Sequence, residues 1–211
     1  VLPGNDEDRV YLRVRRTING QTRRFLQKVA LESECRGGTM NKQADAFIIV
    51  SNITGTVVSG LSHLEGKQVV TWGSGKPLGT YTVTGGSITL SEAVTATDVL
   101  VGLPYTARYK STKLAYGAAA GTALAQNKKP NLISAICGTV HNDGLYYGRD
   151  FNNLDPLPRM YDGRAVGADE VFPAYEQRAV SFPGEWGVDS RFCLQAQAPK
   201  PCELLGVVLT V

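Results

Sequence analysis

The chain has 211 residues, of which 43% are hydrophobic and 19% are charged. This balance is typical of a globular protein with one large or two smaller domains. It predicts no membrane-spanning helix, because no apolar run approaches the roughly 18 residues that such a helix needs. The formal net charge of +3 is too small to indicate a nucleic-acid-binding protein by itself. Residues 1–6 have neither an initiator methionine nor a secretory signal, and we expect a piece of a longer polypeptide.

The first predicted element is a β-hairpin. Residues 10–18 and 21–29 alternate in the manner of strands and are joined by Asn19-Gly20, the pair that best tolerates the positive φ angles of a type I′ turn. A two-residue loop fixes the register of the strands. The predicted cross-strand pairs are Val14 with Phe25, Val10 with Val29, Arg15 with Arg24, and Arg16 with Arg23.

The same hairpin holds the local excess of positive charge. Between Arg9 and Lys28 there are seven Lys or Arg residues and no Asp or Glu. Like charges directly opposite each other in a ladder are unfavourable, so the arginines need anionic partners outside the hairpin. The candidate residues are Arg13, Arg15, Arg16, Arg23 and Arg24.

Short strands follow, separated by Gly, Ser and Pro turns. We expect them near 54–58, 67–72, 78–84, 86–90 and 98–102. Short strands packed so closely along the chain are typical of a small barrel or sandwich. We therefore expect residues 51–103 to be a small inserted β-barrel, and residues 1–50 and 104–211 to form one discontinuous outer domain.

The C-terminal half is also predicted to be β-structure. Residues 132–140 have the composition of a strand, and the long polar stretch 148–182 is typical of a loop that contacts something else. Residues 190–195 and 203–211 are predicted to form a hairpin around the turn at 198–201, and the last strand is so apolar that we expect it to be central and buried on both faces. The predicted fold class is all-β, an outer antiparallel β-sandwich with a small inserted β-barrel.

Nothing in the sequence has the spacing of a catalytic or metal site. The two histidines, His63 and His141, have no Ser or Cys motif with the spacing of a nucleophile elbow, and we expect them to have structural hydrogen-bonding roles. The acidic residues between 150 and 189 are expected to be solvated in loops, to form Asx turns, or to form ion pairs with nearby arginines, namely Arg149, Arg159, Arg164, Arg178 and Arg191. Phosphate-binding glycine loops and EF-hand spacings are absent. No enzyme activity, cofactor or metal is expected.

The cysteines are predicted to be free thiols, because they show no CxxC pairing and no neighbouring histidine cluster. A hairpin centred on residues 198–201 places Cys193 opposite Gly206 rather than Cys202, which argues against a disulfide between those two cysteines. The four residues are Cys35, Cys137, Cys193 and Cys202.

Three sequence blocks together resemble the central module of phage tail tube and nozzle proteins. They are Leu61-Ser-His-Leu-Glu-Gly-Lys-Gln-Val-Val70, Gly85-Gly-Ser-Ile-Thr-Leu90 and Val99-Leu-Val-Gly-Leu-Pro-Tyr-Thr-Ala-Arg-Tyr109. That module is similar to the first catalytic-cysteine half-domain of ubiquitin-activating enzymes, but residues 51–103 contain no cysteine. The hairpin and the segments 154–158, 182–186 and 190–195 resemble the same family in the same order.

The resemblance implies a structural part of a virion. Proteins of that family form rings, commonly hexameric, below the portal and adaptor of a short-tailed phage, and they extend the channel through which DNA leaves. The implied partners are further copies of the chain, portal and adaptor proteins, tail fibres or spikes, and, transiently and without sequence specificity, passing DNA. The implied location is the phage tail, assembled in the host cytoplasm, and in that family this region is the C-terminal part.

The resemblance leaves two roles for the hairpin arginines. They face passing DNA, whose phosphates attract them without regard to sequence, or they pair with carboxylates of an adjacent subunit or domain. We favour the second role, because a conduit that must release DNA gains little from holding it tightly. At the C-terminal end of the inserted module, the predicted seam with the outer domain consists of Leu103, Pro104 and Tyr105.

A second function class is a binding module of a tail. In that interpretation Tyr146, Tyr147, Tyr175 and Trp186 line a glycan or receptor site on the loops. Exposure of these aromatic side chains in one concavity favours the binding module, and their burial in a core or a subunit interface favours the ring.

Overall fold

The structure is a computed structural model, and it describes residues 8–31, 42–115, 125–156, 160–161, 163–176 and 179–211. Within these residues the paired strands are antiparallel, and the helical structure consists of one 3-10 turn at Ser62–Leu64. The prediction of an all-β fold is confirmed. No helix in these segments is long and apolar enough to cross a membrane.

The chain forms two compact units, residues 1–105 and 106–211, called here the N-unit and the C-unit. This division differs from the expected outer domain of 1–50 and 104–211 around an inserted module of 51–103. Strand β3 (Asp45–Ser59 in the chain) runs through residue 50 and pairs along its length with residues 87–103. A ladder of this length holds both sides of the expected first boundary in one sheet.

The N-unit contains a hairpin and a four-stranded sheet. The hairpin is β1 (Tyr11–Ile18) and β2 (Gln21–Lys28). The sheet is formed by β3 together with three further strands in the order β3-β6-β4-β5. Those three strands are β4 (Gln68–Gly73), β5 (Lys76–Thr82) and β6 (Ser87–Leu103).

Strand β6 corrects one prediction about this sheet. The strands expected near 86–90 and 98–102 are two halves of the single strand β6, which keeps its ladder with β3 through several register shifts. The shifts, together with positive φ angles at Gly55 and Ala96, bend the strands without ending them. Among the described residues the sheet is open between β3 and β5, so the expected closure into a barrel is not seen there.

One cluster of buried apolar side chains forms the core of the N-unit. Its members come from β3, β4 and β6, from the 3-10 turn and from residues flanking that turn and β5, and they are Val58, Leu61, Leu64, Val69, Val83, Ile88, Leu90, Val94, Val99 and Val101. Trp72 on β4 is also fully buried. Burial of this much apolar surface is the main stabilising contribution to the unit.

The C-unit contains two larger sheets. The first has the order β10-β9-β16-β7, and its strands are β7 (Thr106–Lys110), β9 (Tyr146–Asp150), β10 (Asn153–Pro156) and β16 (Cys193–Gln197). In the second sheet β8 (Leu132–His141) is central, with β17 (Cys202–Thr210) along one edge. Short strands occupy the other edge of β8 in turn, namely β13 (Val171–Phe172), β14 (Tyr175–Glu176) and β15 (Val180–Ser181). A separate short hairpin joins β11 (Met160–Tyr161) to β12 (Arg164–Ala165).

The two larger sheets share one core. Ile133, Ala135 and Cys137 from β8 pack in the same buried cluster as Tyr147 from β9 and Leu194 from β16. Side chains of two sheets that meet in one core define a β-sandwich. The stretch 148–182, expected to be a loop, contains several of the short strands that complete the second sheet.

The C-terminal strand is placed differently from the prediction. Strands β16 and β17 do not pair with each other, because β16 lies between β9 and β7 while β17 pairs with β8. Among the described strands β17 has no partner on its other side, and Leu205 and Val208 are 65% and 59% exposed. The expectation of a central strand buried on both faces is wrong: β17 is an edge strand with one exposed apolar face.

Candidate functional site

The β1–β2 hairpin forms with the predicted register. Asn19 and Gly20 have φ angles of 48° and 73°, as a type I′ turn requires. The register pairs Val14 with Phe25, Arg15 with Arg24 and Arg16 with Arg23, and the backbone N–H of Val29 donates to the carbonyl of Val10. The hairpin prediction is therefore confirmed residue by residue.

The five candidate arginines lie on two faces of this hairpin. Alternation along the strands places Arg16 and Arg23 on the face that carries Val14 and Phe25. The guanidinium of Arg16 donates to a carboxylate oxygen of Asp45 on β3 at 3.0 Å. It also lies 5.9 Å from the centre of the Phe25 ring. Arg16 thus has an anionic partner outside the hairpin, as predicted, but that partner belongs to the same chain.

The opposite face of the hairpin is fully exposed and basic. We define the outer arginine face as Arg13, Arg15 and Arg24, which share this face with Tyr11 and Leu26. In the part of the chain that the structure describes, no ion pair is formed by these three arginines. Arg15 and Arg24 stand directly opposite each other, so their mutual repulsion is relieved only by solvent, salt or an external anion.

A cleft of about 700 Å³ lies between the inner side of the hairpin and the start of β3, with Phe25, Phe47 and His63 in its lining. Burial lowers the pKa of His63, and a hydrogen bond with the Gly60 backbone opposes this effect. The imidazole is therefore neutral near pH 7. Its backbone contact agrees with the structural role expected of His63.

His141 is also structural. It is 1% exposed, and its Nδ1 accepts a hydrogen bond from the backbone N–H of Asp143 at 3.0 Å. Burial and the nearby Lys200 ammonium lower the pKa of His141. Over the described residues, no group of His, Cys, Asp and Glu side chains has the arrangement of a metal site.

The cysteines that the structure describes are free thiols, as predicted: Cys137, Cys193 and Cys202. Cys35 lies outside the described residues. Burial raises the pKa of Cys137 to about 11, and burial together with the neighbouring Cys137 raises the pKa of Cys202 to about 12. Both thiols are protonated near neutral pH and are therefore poor nucleophiles.

Three of the five arginines predicted to form ion pairs in the C-unit do so in the structure. Arg149 pairs with Asp150 and Glu185, Arg164 with Glu170, and Arg191 with Asp189. Arg159 and Arg178 lie outside the described side chains. The acidic residues between 150 and 189 that take part are thus bound to guanidinium groups.

The four aromatic residues of the expected glycan site are not brought together. Tyr147 and Tyr175 are buried in the core of the C-unit. Tyr146 is half-buried, and its hydroxyl donates to the Asp143 carboxylate. Only Trp186 of this group is exposed, in a cleft lined by Pro130 and Phe182 as well as by polar and charged side chains.

The predicted seam residues end the N-unit. Leu103 is the last residue of β6 and packs partly buried against the core of that unit. The hydroxyl of Tyr105 donates to the Gln43 side chain at 2.8 Å. Pro104 is exposed, and Thr106 begins β7 of the C-unit. Their role as a seam stays a prediction.

The three sequence blocks of the central module meet in space. The carboxylate of Glu65, in the first block, accepts hydrogen bonds from the backbone N–H groups of Gly85 and Gly86 at 3.0 and 2.7 Å. The first block also pairs with the third, since Val70 lies opposite Gly102. The role of Glu65 was not predicted from the sequence. What marks it is its closeness to the Gly85-Gly86 turn, and that closeness exists only in the folded chain.

The chain matches no model of a known protein family and no curated protein sequence. The resemblance to phage tail proteins therefore stays a prediction from the sequence blocks described above.

Proposed function

We propose that the chain is a structural subunit of a phage tail, in which copies arranged as a ring form part of the conduit for DNA. The order of the sequence blocks along the chain supports this function, and no catalytic step is assigned to any residue. In this role the chain contacts further copies of itself, portal or adaptor proteins, and tail fibres or spikes.

The observation that best supports assembly is the exposed face of β17. Val207 and Leu209 turn towards the core of the C-unit, whereas Val208 is exposed. On the neighbouring strand β8, Leu132 and Ile136 are exposed as well, on the same outer face as Val208 by the register of the two strands. Leu205, at the register shift between Leu204 and Gly206, is exposed as well.

An apolar face beside an edge strand without a described partner is suited to contact with another chain. Unpaired strand edges are templates for pairing, and contiguous exposed apolar surface marks interaction sites. When such a surface meets a different surface of the next copy, the contact repeats around an axis, and it closes a ring when the rotation between copies divides a full turn. The β17 face therefore supplies the kind of contact that a ring of identical subunits needs.

Imaging of single particles of the full-length protein tests this function. We expect a ring with an axial hole. Val208→Asp places a charge in the β17 face and is expected to shift the particles from rings to single subunits, because an unpaired charge in an apolar contact is strongly unfavourable.

The matched control is Val57→Asp on β3, because Val57 is 58% exposed, nearly the same as Val208. This variant is expected to keep the ring. Single subunits in the unmodified protein at virion-like concentrations would overturn the proposed function. Rings that survive Val208→Asp would instead remove β17 from the subunit contact.

A further inference from the structure

Trp186 is the most exposed of the aromatic side chains that the structure describes in the C-unit. Its side chain is 73% exposed, whereas the other tryptophan of the chain, Trp72, is fully buried. Trp186 lies in the wall of a cleft of about 420 Å³ that also includes Pro130 and Phe182. An indole left in water gains nothing from burial on folding, and tryptophan is enriched at binding interfaces, so an exposed indole at a cleft is suited to ligand contact.

The loop that bears Trp186 is held in place on both sides. Before it, the backbone N–H of Phe182 donates to the carbonyl of Asn131 at 2.7 Å. After it, Gly187 and Lys128 exchange two backbone hydrogen bonds at 3.0 and 3.1 Å. The hydroxyl of Ser190 donates to the carbonyl of Lys128 at 2.9 Å.

The side chain of Lys128 also holds the loop through hydrogen bonds. It is 1% exposed, and its ammonium group donates to the backbone carbonyls of Gln126 and Val188 at 2.8 and 3.1 Å. A buried ammonium is retained only where its charge is well hydrogen-bonded. The exposed position of Trp186 is therefore built into the loop, and little ordering cost remains when a ligand binds.

The charged side chains around Trp186 balance in sign. Arg149 pairs with Asp150 at 3.4 Å and with Glu185, and Arg191 pairs with Asp189 at 2.8 Å. Lys110 adds a third cation beside these three carboxylates. A cleft of this kind has no net charge to offer an ionic ligand, but it has many hydrogen-bond donors and acceptors side by side.

From these observations we infer that the Trp186 cleft is a binding site for a neutral hexopyranose sugar. One face of such a ring presents C–H bonds that stack on an indole, and its rim presents hydroxyl groups that each donate and accept a hydrogen bond. The paired Arg and Asp or Glu side chains offer both partners to neighbouring hydroxyls. This site is independent of the ring assembly proposed above.

The two tryptophans make the test direct. Acrylamide quenches the fluorescence of an exposed indole and not that of Trp72, so quenching reports on Trp186. We expect methyl glucoside, methyl galactoside or methyl mannoside to reduce quenching in the full chain. From the binding energy per atom of small ligands we expect a dissociation constant of roughly 1 mM.

A pair of glutamate variants separates binding from a general effect of charge. Glu185→Gln is expected to weaken sugar binding at least about fivefold, because a charge-assisted hydrogen bond is lost. Glu92→Gln in the N-unit is the control, since Glu92 is equally exposed and also paired with a cation, Lys76. It is expected to leave sugar binding unchanged.

Three results would overturn the sugar site. One is the absence of protection by all three methyl glycosides up to about 100 mM, far above the roughly 1 mM expected. Another is equal sugar binding by the Glu185→Gln and unmodified chains. The third is stronger protection by glucuronate or by choline than by the neutral sugars, which would indicate an anion site or a cation–π site respectively.

Discussion

At the scale of single residues, the ion pair between Arg164 and Glu170 predicts how stability depends on pH. The guanidinium of Arg164 and the backbone N–H of Gly167 both donate to the Glu170 carboxylate, each at 3.1 Å to Oε2. The hydrogen bond from Arg164, followed by that from Gly167, lowers the pKa of Glu170 from 4.5 to about 2. The ionised carboxylate is thus favoured by folding.

We expect Glu170 to titrate near pH 2 when its side-chain carboxyl shift is followed by NMR. Because the folded pKa is depressed, its contribution to stability is fully present above pH 4.5 and is lost as the pH falls from there through about 2. Arg164→Gln is expected to raise the pKa of Glu170 towards its ordinary value. Lys76→Gln, in the other unit, is the control and leaves this titration unchanged. A wild-type titration near pH 4.5 would contradict the expectation.

Two residues with strong structural roles were invisible in the sequence. Lys128 stands in a Lys-Lys-Pro run that has the composition of a solvated loop, yet it is almost fully buried and donates to two carbonyls. Glu65 binds two backbone amides of a turn some twenty residues away along the chain. Both roles depend on partners that are distant in sequence, and composition carries no information about such partners.

At the scale of elements, the hairpin shows a pairing that local sequence determines, and the last strand shows one that it does not. A two-residue Asn-Gly turn fixes its own register, so the pairs of β1 and β2 followed from the sequence alone. Strand β17 was equally recognisable as a strand, but its apolar composition did not reveal that β8 would be its described partner. Pairing between distant strands is decided by the whole fold and by the surfaces that the molecule presents to others.

The hairpin also gives a prediction from two adjacent arginines on opposite faces. Arg16→Gln removes the contacts with Asp45 and Phe25 and is expected to lower the free energy of unfolding by about 1 kcal/mol. The side chain of Arg16 is 16% exposed, whereas that of Asp45 is 55% exposed, which keeps this value modest. Arg15→Gln removes a like-charge pair with Arg24 and is expected to leave stability unchanged or slightly higher. Chemical denaturation of both variants measures the difference.

A double variant of the outer arginine face distinguishes its two possible roles, contact with a neighbouring subunit and contact with DNA. The double variant Arg15→Gln, Arg24→Gln is expected to impair assembly if these residues contact a neighbouring subunit, which is the role we favour. Normal assembly with failed DNA delivery would show that this role is wrong and that the face acts on DNA.

For the single variants, a loss of stability in Arg15→Gln equal to that in Arg16→Gln would contradict the assignment of these two arginines to opposite faces.

At the scale of the whole molecule, the chain has two cores, each buried within its own unit. The pattern of short strands predicted a small module and a larger β-domain, and the second expected boundary, after residue 103, lies two residues from the observed one. The first boundary was misplaced, because β3 begins before the module and continues into it. Chains with separate cores commonly depart from two-state unfolding.

A matched pair of glycine variants tests whether the two cores are separate. A Cβ at Gly102, in β6, would lie 2.7 Å from the Cβ of Ala44 and 3.0 Å from the carbonyl oxygen of Asp45. A Cβ at Gly148, in β9, would overlap the carbonyl oxygen of Asn153. Neither position has room for a Cβ, so each alanine forces a local shift that costs about 1–3 kcal/mol or more.

We expect Gly102→Ala to speed amide hydrogen exchange in the N-unit alone and Gly148→Ala to do so in the C-unit alone. Exchange followed by mass spectrometry assigns each peptide to a unit, and protected amides in a β-core report on the opening of that core. The physical reason is that each substitution disturbs one buried cluster, and each cluster draws its members from one unit. Faster exchange throughout both units in either variant would mean that the chain unfolds as a single cooperative body. The two-core description would then be wrong.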